Sequence, residues 1–370
     1  MRELGIAKII MEKRHEKGVT QDELAAYIGV SKASVSKWET GQSYPDITFL
    51  PQLAAFFNIS IDCLIGYEPQ MTKPDIKKLY YRLAADFSKR PFMDVYNECQ
   101  EITRKYYCCF PLLYQMATLY MNHYTICTDQ ETQVHILEEI VELCQRVITE
   151  SQDAFLAKDA MSMEALALLA LQQPAKVFEL FGDNLRPVQP EAELIAQAYL
   201  MLGNREKAIE TMQISGYQNL LFLMSSSVQL IGMYTDQPVK AKEILKRALG
   251  VIDLFEMDYL HPNTTLGVYL SGASLACVNQ EPDLAIEFLS RFVKGVCELD
   301  VIQLHGDQYF DKIDHWIDDV TLGKTAPRGE TYIKSSILQM VTSNPAFETL
   351  HDHKEYQEIV RRLTEKLGGN

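Results

Sequence analysis

The sequence predicts an all-α protein in which a small five-helix domain precedes a larger body of helical repeats. Apolar residues recur at the three- and four-residue spacing of amphipathic helices along the 370 residues, and no convincing strand pattern is present. Near the amino end, residues 19–41 carry the start and stop signals of two short helices joined by a tight turn. Farther along, prolines and glycines separate helical segments of about 12–18 residues, a rhythm typical of stacked helical hairpins.

Composition indicates a large folded protein of a reducing compartment. Apolar residues make up 47% of the chain, which is enough for a sizeable core. The first residues lack the apolar segment of a signal peptide, and the longest apolar runs, Met163–Leu171 and Leu220–Met224, are too short to span a membrane. The eight cysteines form no C-x-x-C pair. We therefore expect a cytoplasmic protein without a membrane partner, disulfide framework or metal site.

The first predicted helix covers residues 4–17. Its sequence, LGIAKIIMEKRHEK, places apolar side chains on one face and charged side chains on the other. The residues expected to point inward are Leu4, Ile6, Ile9 and Ile10. We expect the charged side chains of this helix to lie outward.

Residues 19–41, VTQDELAAYIGVSKASVSKWETG, predict two helices and the turn between them. Thr20 and Glu23 have capping-box spacing, in which each side chain bonds the backbone N–H of the other residue. Gly29 ends the first helix in the left-handed conformation, and Ser31 is an N-cap for the second. The residues that share the inner face of the first helix are Leu24, Ala25 and Ile28.

The second helix of this pair has a buried face and an open face. Val35 and Trp38 lie three residues apart and mark the buried face, and Gly41 closes the helix. The open face carries small, polar or basic side chains: Lys32, Ala33, Ser34, Ser36 and Lys37. A DNA recognition helix needs such a face, because short side chains let it approach base edges while amines and hydroxyls bond bases and phosphates.

Two more helices and a linker complete the small domain. Pro45 and Asp46 open the fourth helix and Asn58 ends it. Its apolar face consists of Leu50, Leu53, Phe56 and Phe57. A short fifth helix follows, with Ile61, Leu64 and Ile65 as its apolar residues. The run GYEPQMTKP then predicts a linker. We therefore place a DNA-binding head at residues 1–66, a linker at 67–74 and a helical-repeat body at 75–370.

The head resembles a known family. The string T-Q-x-x-L-A-x-x-x-G-V-S-x-x-x-V-S-x-W-E-x-G resembles the helix-turn-helix of the phage-repressor (Cro/C1, or XRE) family, and Q-S-Y-P-D with FLPQLAAFFNISIDCLIG resembles the rest of that domain. The resemblance implies a transcriptional regulator that binds a double-stranded DNA operator. The DNA contacts that it implies are Gln21, Ser31, Lys32, Ala33, Ser34, Ser36, Lys37, Gln42 and Ser43. The alternative is a small helical bundle that only packs.

The roles within this contact set stay partly open. Ala33 suits apolar contact with a thymine methyl, whereas Lys32 and Lys37 can address guanine or phosphate. An isolated lysine more often binds phosphate than a base, so the operator sequence cannot be deduced from these lysines. Trp38 and Glu39 are expected to be structural, because Trp38 lies on the buried stripe and phosphates repel a carboxylate.

The net charge of −15 is unevenly distributed. Residues 1–66 contain seven Lys/Arg and eight Asp/Glu, whereas the remainder contains 28 and 42 and carries a charge of −14. The acidic body is expected to face away from DNA, which confines contact to the head. Because each head offers few basic groups, two copies on a two-fold operator are needed for useful affinity, and we expect a homodimer.

The body shows a degenerate repeat. The clearest unit is AELIAQAYLMLGNREKAIETM at 192–212, where Tyr199 and Gly203 stand at the offsets of a tetratricopeptide repeat. The alanines at the centre of four similar units are Ala175, Ala208, Ala241 and Ala285, with spacings of 33, 33 and 44 residues against about 34 in that repeat. The expected helix breakers are Pro91, Pro111, Asp129, Pro174, Pro187, Pro190, Gly203, Gly216, Pro238, Pro262, Pro282 and Pro345. We predict a tetratricopeptide-like solenoid; the alternative is an irregular helical bundle.

A repressor-type head joined to such a body resembles the Rap–Npr–Plc–Prg group of quorum-sensing regulators. The resemblance implies a solenoid that dimerises and binds a short signalling peptide on its concave face. The repeat register places on that face Glu164, Glu193, Gln197, Ser226, Tyr234, Asn263 and Ser274. Amides and hydroxyls suit a peptide backbone, but few asparagines lie in register, and an ordinary solvated groove position is the alternative for each residue. The alternative for the whole body is a ligand-free scaffold for dimerisation and protein interaction.

The sequence lacks the common enzyme motifs. It contains no H-E-x-x-H, P-loop, G-x-G-x-x-G or G-x-S-x-G pattern. On a helix, His351 and His353 would point apart, which does not suit a shared metal ion. We expect no catalytic residue, no metal and no cofactor.

Overall fold

The computed structural model describes residues 5–67, 70–185, 187–298, 304–320 and 330–367. Every regular element in these ranges is a helix and none is a strand, as the sequence predicts. The chain forms two compact units: the described residues up to Ile76 with Gln100–Leu113, and Lys77–Cys99 with the described residues from Tyr114 onward. Two residues of the predicted linker at 67–74 lie outside the described ranges. Leu4, which was expected to point inward, lies outside them as well. The predicted domain limits stay a prediction.

The first unit begins with five short helices that share one apolar core. They are α1 (Ile6–Glu16), α2 (Gln21–Ile28), α3 (Lys32–Glu39), α4 (Leu50–Phe57) and α5 (Ile61–Ile65). The core includes Ile10, Leu24, Val35, Leu53 and Leu64, and thus draws on all five helices. The expectation that the charged residues of α1 lie outward is wrong at Arg14, which is buried.

The fourth helix begins later than predicted. The Asp46 carboxylate accepts the Thr48 N–H at 2.9 Å and caps a 3-10 turn, Ile47–Phe49, before α4 starts at Leu50. An Asp side chain favours such a turn because it can bond the backbone two residues on. Asn58 takes the left-handed conformation, with φ of 55°, and ends α4 as expected.

The rest of the chain is helical throughout its described parts. Three helices contain residues of both units: α6 (Lys73–Asp86), α7 (Phe92–Lys105) and α8 (Phe110–His123). The helices of the second unit alone are α9 (Gln130–Glu150), α10 (Ala154–Ala170), α11 (Pro174–Phe181), α12 (Glu191–Met201), α13 (Arg205–Met233), α14 (Pro238–Leu254), α15 (Met257–Leu260), α16 (Pro262–Val278), α17 (Pro282–Glu298), α18 (Asp314–Asp319), α19 (Glu330–Thr342) and α20 (Lys354–Leu367). Four predicted breakers, Pro174, Pro238, Pro262 and Pro282, stand at the first helical position, where the missing N–H costs nothing.

Helix α13 runs for 29 residues, and the predicted break at Gly216 is wrong. A glycine lowers helix stability by about 1 kcal/mol relative to alanine, and tertiary packing can override that preference. A Cβ at Gly216 would lie 3.6 Å from the Phe310 ring, so this ring packs on the side of α13 that the glycine leaves bare. The second helix of one predicted hairpin and the first helix of the next are therefore one continuous helix.

The residues that mark the repeat divide into buried and exposed positions. Ala208, Ala241 and Ala285 are buried, whereas Ala175 is exposed on α11, a helix without any buried residue. Gly203 has φ of 75° and makes the turn between α12 and α13, which pack together. The structure shows a helical body, and its tetratricopeptide-like character stays a prediction.

Helices α16 and α17 pack closely in the core of the second unit. A Cβ at Gly272 would lie 3.1 Å from the Phe288 ring, and a Cβ at Gly295 would lie 2.9 Å from Leu266. Both distances are shorter than an ordinary carbon contact. The two glycines therefore permit the close approach of these helices.

The cysteines are all free thiols. Burial raises the pKa of Cys99 and of Cys144 to about 12, which keeps both protonated at neutral pH. Among the described residues, no group of three or more His, Cys, Asp or Glu side chains is placed to hold a metal ion. The helices within the described ranges include none with the length and apolar character needed to cross a membrane.

Candidate nucleic-acid interface

Local hydrogen bonds fix the turn between α2 and α3. The Thr20 hydroxyl accepts the Glu23 N–H at 3.2 Å, and the Glu23 carboxylate accepts the Thr20 N–H at 2.7 Å. Gly29 has φ of 82° and ends α2, and the Ser31 hydroxyl accepts the Ser34 N–H at 3.2 Å to begin α3. The predicted capping box, glycine end and N-cap are confirmed.

The outward face of α3 carries most of the expected DNA contacts. Lys32, Ala33 and Lys37 are exposed, and Ser34 and Ser36 are half-buried. The buried face of α3 consists of Val35 and Trp38, as predicted. The helix therefore turns two amines, two hydroxyls and one methyl group away from its core.

The ends of this surface lie outside α3. Ser31 is exposed, and its hydroxyl oxygen lies 2.9 Å from that of Ser34. Gln42 and Ser43 are exposed after α3, but their backbone N–H groups donate to the Lys37 carbonyl at 2.9 and 3.3 Å. A phosphate at this end would therefore meet the side chains of Gln42 and Ser43 rather than their N–H groups.

A buried ion pair connects α1 with α3, and a hydrogen bond joins α2 to it. Arg14 donates from Nε and Nη2 to the two carboxylate oxygens of Glu39 at 2.6 and 3.0 Å, with side chains 10% and 4% exposed. Gln21 Nε2 donates to the same carboxylate at 2.8 Å, and Arg14 Nη1 donates to the Val19 carbonyl at 2.8 Å. Burial disfavours the charged carboxylate, but the hydrogen bonds from Arg14 and Gln21 outweigh it and lower the pKa of Glu39.

This network bears on the expected roles of Glu39 and Gln21 and adds Arg14 to them. Glu39 is structural, as expected, because its carboxylate is enclosed by Arg14 and Gln21. Arg14 was missed, although it follows Ile6 and Ile10 at successive four-residue steps and so lies on their face of α1. Gln21 is held by Glu39 in the free protein, and its expected DNA contact stays a prediction.

Lys32 has an acidic neighbour on α2. Its Nζ lies 2.7 Å from Asp22 Oδ2, and the two side chains are 60% and 64% exposed. An exposed pair of this kind contributes little stability, at most about 1 kcal/mol, because water screens it. A phosphate that approaches Lys32 therefore competes with Asp22.

Comparison with known proteins agrees with this geometry. Residues 10–62 match the helix-turn-helix family HTH_3. The amino-terminal domain is a helix-turn-helix domain. The HTH-type transcriptional activator BcrR of Enterococcus faecalis is 34% identical over 77 residues, a match that covers 19% of this chain and 38% of BcrR. The chain thus spans less than half the length of this curated relative.

Two solved structures match over most of the chain. The apo form of ComR from S. thermophilus has 14% identity and a TM-score of 0.25, with 81% of this chain and 95% of ComR covered. The apo form of the competence regulator ComR from Streptococcus vestibularis has 13% identity and a TM-score of 0.23, with 86% and 98% covered. TM-scores of this size do not establish a common arrangement of helices.

Beyond the helix-turn-helix domain, the residues expected on a concave face lie in different surroundings. Those that are exposed are Glu193, Gln197, Ser226 and Asn263, and those that are half-buried are Tyr234 and Ser274. The Tyr234 hydroxyl accepts from Lys240 Nζ at 2.8 Å, and the Ser274 hydroxyl donates to the Leu270 carbonyl at 3.0 Å. Glu164 is buried where α9 packs on α10, and it accepts from Gln145 Nε2 at 2.9 Å.

Glu193 lies in an open groove of about 850 Å³ beside α12 and α13. The apolar residues that line this groove are Ala196, Leu200, Ala208, Ile209, Met212, Tyr309 and Phe310. Its polar residues are Glu193, Arg205, Gln213, Ser215 and Asn219. The sequence interpretation missed both Arg205 and Asn219. It placed Arg205 after the Gly203 turn, in the second helix of a hairpin, and Asn219 lies beyond the break expected at Gly216. The continuous α13 carries both residues.

The loop that contains Tyr309 and Phe310 also lines the groove, and hydrogen bonds and a close backbone approach fix its conformation. Gln213 Nε2 donates to Asp311 Oδ1 at 2.8 Å, and Gln213 Oε1 accepts the Lys312 N–H at 2.8 Å. A Cβ at Gly306 would lie 2.0 Å from the Phe310 carbonyl oxygen, so only glycine fits there. These contacts hold Phe310 against α13.

Proposed function

We propose that the protein is a sequence-specific DNA-binding transcriptional regulator. The observation that carries this proposal is the outward face of α3, where Lys32, Ala33 and Lys37 are exposed on a helix that Val35 and Trp38 anchor in the core. A helix held in this way can enter the major groove without disturbing its domain. The match of residues 10–62 to a helix-turn-helix family supports the same function.

The proposed contacts have distinct tasks. Lys32 and Lys37 bind phosphate or guanine, and Ala33 packs on a thymine methyl. The hydroxyls and amides that fix the register on the backbone belong to Gln21, Ser31, Ser34, Ser36, Gln42 and Ser43. Gln21 would exchange its bond to Glu39 for one to DNA, or keep it and donate through its second amide hydrogen.

The test of this proposal is the double substitution of Lys32 and Lys37 by alanine. An operator is first selected from a random duplex library with the full-length protein, and affinity is then measured by fluorescence anisotropy. We expect the double variant to lose specific binding and to keep its circular dichroism spectrum, because both side chains project outward. The control is Lys8→Ala, an exposed lysine of α1 that pairs with Glu12 at 3.7 Å. Normal operator affinity in the double variant would refute the proposed face.

We propose further that the body dimerises and receives a signal, a short peptide that alters operator binding. An exposed and mostly apolar stripe on α13 supports a ligand surface. Phe222 and Met233 are 69% and 70% exposed, and Ser226 and Leu230 lie between them at helical spacing. If no member of a synthetic peptide library changes the affinity of the protein for its operator, this part of the proposal fails.

A second candidate function for the body is a scaffold that binds another protein. Helix α11 has no buried residue and exposes Phe178 and Phe181, which favours an interaction surface. A protein that co-purifies in fixed stoichiometry, and is lost in a Phe178→Ser/Phe181→Ser variant, would favour the scaffold over the peptide sensor.

A further inference from the structure

A second cavity, of about 730 Å³, lies beside the end of α14 and the short helix α15. We call it the α15 cavity. Its aromatic lining residues are Phe255, Tyr259 and Tyr309, and its polar ones are Glu256, Asp307 and Gln308. Tyr309 also lines the groove beside α12 and α13, but the other residues named here do not. The volume lies in the range of roughly 300–1,000 Å³ typical of ligand pockets.

The aromatic rings of this cavity come from two separate segments of the chain. Tyr259 and Tyr309 are 60% and 67% exposed, so water covers most of both side chains. The Tyr309 ring meets the Phe255 ring edge to face, with 5.7 Å between the ring centroids. The Tyr259 ring lies 4.2 Å from the His305 ring. Each exposed ring is thus packed against a second ring, which restricts its motion before a ligand binds.

The loop that carries Asp307 and Tyr309 has a fixed conformation. Asp307 Oδ1 accepts the N–H groups of Tyr309 and Phe310 at 2.8 and 2.7 Å. The Gly306 N–H donates to Asp314 Oδ1 at 2.7 Å, and a Cβ at Gly306 would lie 2.0 Å from the Phe310 carbonyl oxygen. This wall of the cavity is therefore formed in advance, which lowers the entropy cost of binding.

The α15 cavity is acidic. Glu256 and Asp307 line it, and none of its described lining residues is a lysine or an arginine. Residues 253–260 contain three carboxylates and no basic residue. The faces of aromatic rings carry partial negative charge, so rings and carboxylates together attract a cation and repel an anion.

At other aromatic rings the chain supplies a cation of its own. Lys17 Nζ lies 4.4 Å from the centroid of the Phe56 ring, and Lys240 Nζ lies 3.9 Å from that of the Tyr234 ring. In the described part of the chain, no lysine or arginine lies over a ring of the α15 cavity. A ligand cation would therefore not have to displace a side chain from these rings.

We propose that the α15 cavity binds a small organic cation with an alkylated ammonium group, which lies against the rings of Tyr259 and Tyr309. Such a group is large, apolar at its surface and positively charged, and aromatic rings recognise it through cation–π attraction. Glu256 supplies the opposite charge. The proposal goes beyond DNA binding and does not depend on a peptide signal, because the ligand belongs to another chemical class.

The experiment uses the full-length protein and two probes of the same shape. One is acetylcholine, and the other is 3,3-dimethylbutyl acetate, in which a carbon atom replaces the charged nitrogen. Dissociation constants are measured by ligand-observed NMR titration. We expect acetylcholine to bind at least about 5-fold tighter than the neutral probe, because it alone is attracted by the ring faces and the carboxylates.

Three variants test the residues that carry the proposal. Tyr259→Leu/Tyr309→Leu keeps apolar side chains but removes both rings, and should weaken acetylcholine about 5- to 30-fold and the neutral probe less than about 2-fold. Glu256→Gln should weaken acetylcholine about 2- to 5-fold, as expected for an exposed charge pair. Asp253→Asn is the matched control: it removes an exposed carboxylate of α14 that does not line the cavity, and should change neither probe. Asp307 is left intact because it holds the loop.

Several outcomes would overturn the inference. They are equal affinity of the two probes for the wild type, an equal loss of both in the double tyrosine variant, and an absence of saturable acetylcholine binding. Spermidine is a separate arm: if it binds in a Glu256-dependent manner and the double tyrosine variant binds it normally, the cavity is a polyamine site and the aromatic site is refuted. Because the measurement is probe binding alone, any of these failures leaves the DNA-binding proposal standing.

Discussion

Arg14 and Glu39 show how much one residue pair can decide in a small domain. The pair is bidentate and almost fully buried, and it connects the first and third helices while Gln21 connects the second. A buried pair of this kind adds little net stability over apolar residues of similar volume, but the loss of one partner leaves an uncompensated charge. The orientation of α3 therefore depends on two buried residues that are not part of its exposed face.

The first prediction concerns Arg14→Met. We expect it to destabilise the first unit by about 3–5 kcal/mol, because the Glu39 carboxylate stays buried without its partner. The control Lys8→Met removes an exposed pair and should cost at most about 0.5 kcal/mol. The measurement is urea unfolding followed by tryptophan fluorescence in a Trp316→Phe background, where Trp38 is the remaining tryptophan. If Arg14→Met lowers the free energy of unfolding no more than Lys8→Met does, the first unit does not depend on the buried pair for its stability.

The second prediction concerns pH. The pKa of Glu39 is lowered from its usual 4.5 in the folded state, so its contribution to stability is present above that value and is lost as pH falls below it. In the same Trp316→Phe background, the free energy of unfolding with Glu39 present should fall more steeply below pH 4.5 than that of the Glu39→Gln variant, because glutamine has no proton to gain at this position. Parallel pH profiles for the two proteins would contradict this prediction.

The third prediction concerns Asp22→Asn. Because Asp22 holds Lys32 at 2.7 Å, its neutralisation should free the lysine for phosphate and tighten operator binding up to about five-fold, the equivalent of an exposed ion pair of about 1 kcal/mol. Glu12→Gln removes the same charge from α1, where it pairs with Lys8, and controls for the general effect of net charge. An equal gain in both variants would show that Asp22 does not restrain Lys32.

At the scale of elements, glycines in this chain have two different roles: some end a helix and others lie inside one. Gly203 and Gly29 have positive φ and end helices, as the sequence indicates. Gly216 lies inside α13 and Gly272 lies inside α16, where the missing side chain faces a neighbouring ring. Sequence alone does not separate these uses, because the deciding contact comes from a residue distant in the chain.

The fourth prediction compares two helix glycines. Gly272→Ala should destabilise the second unit by about 1–3 kcal/mol, because its Cβ would press on Phe288 at 3.1 Å. Gly250→Ala on α14 has no atom within 4 Å of the added Cβ and should stabilise by up to about 1 kcal/mol. The measurement is urea unfolding followed by Trp316 fluorescence in a Trp38→Phe background. Changes of the same sign would refute the close packing of α16 on α17.

At the scale of the whole molecule, charge separates the two proposed tasks. Residues 1–66 are nearly neutral and the remainder carries −14, so the body repels DNA and the helix-turn-helix domain must supply the attraction. A single copy offers few phosphate contacts, and two copies double both the contacts and their salt dependence. Control of the spacing between two copies would then control operator binding.

The fifth prediction follows from this distribution. We expect the full-length protein to bind a two-fold operator with two copies per duplex, in a sedimentation-velocity experiment with labelled DNA. A duplex that keeps one half-site should bind at least about 100-fold more weakly, because half of the phosphate and base contacts are lost. One copy per duplex, with equal affinity for the single half-site, would contradict dimeric recognition.

The sequence by itself determined the helical class, the capped turn between α2 and α3, the outward face of α3 and most helix starts in the body. These features follow from local rules: periodicity, capping side chains, and prolines at first helical positions. The tertiary structure decided the burial of Arg14 against Glu39, the continuity of α13 through Gly216, and the groove that gathers Arg205 and Asn219. Each of these depends on a contact between residues far apart in the chain, whose energy no local pattern contains.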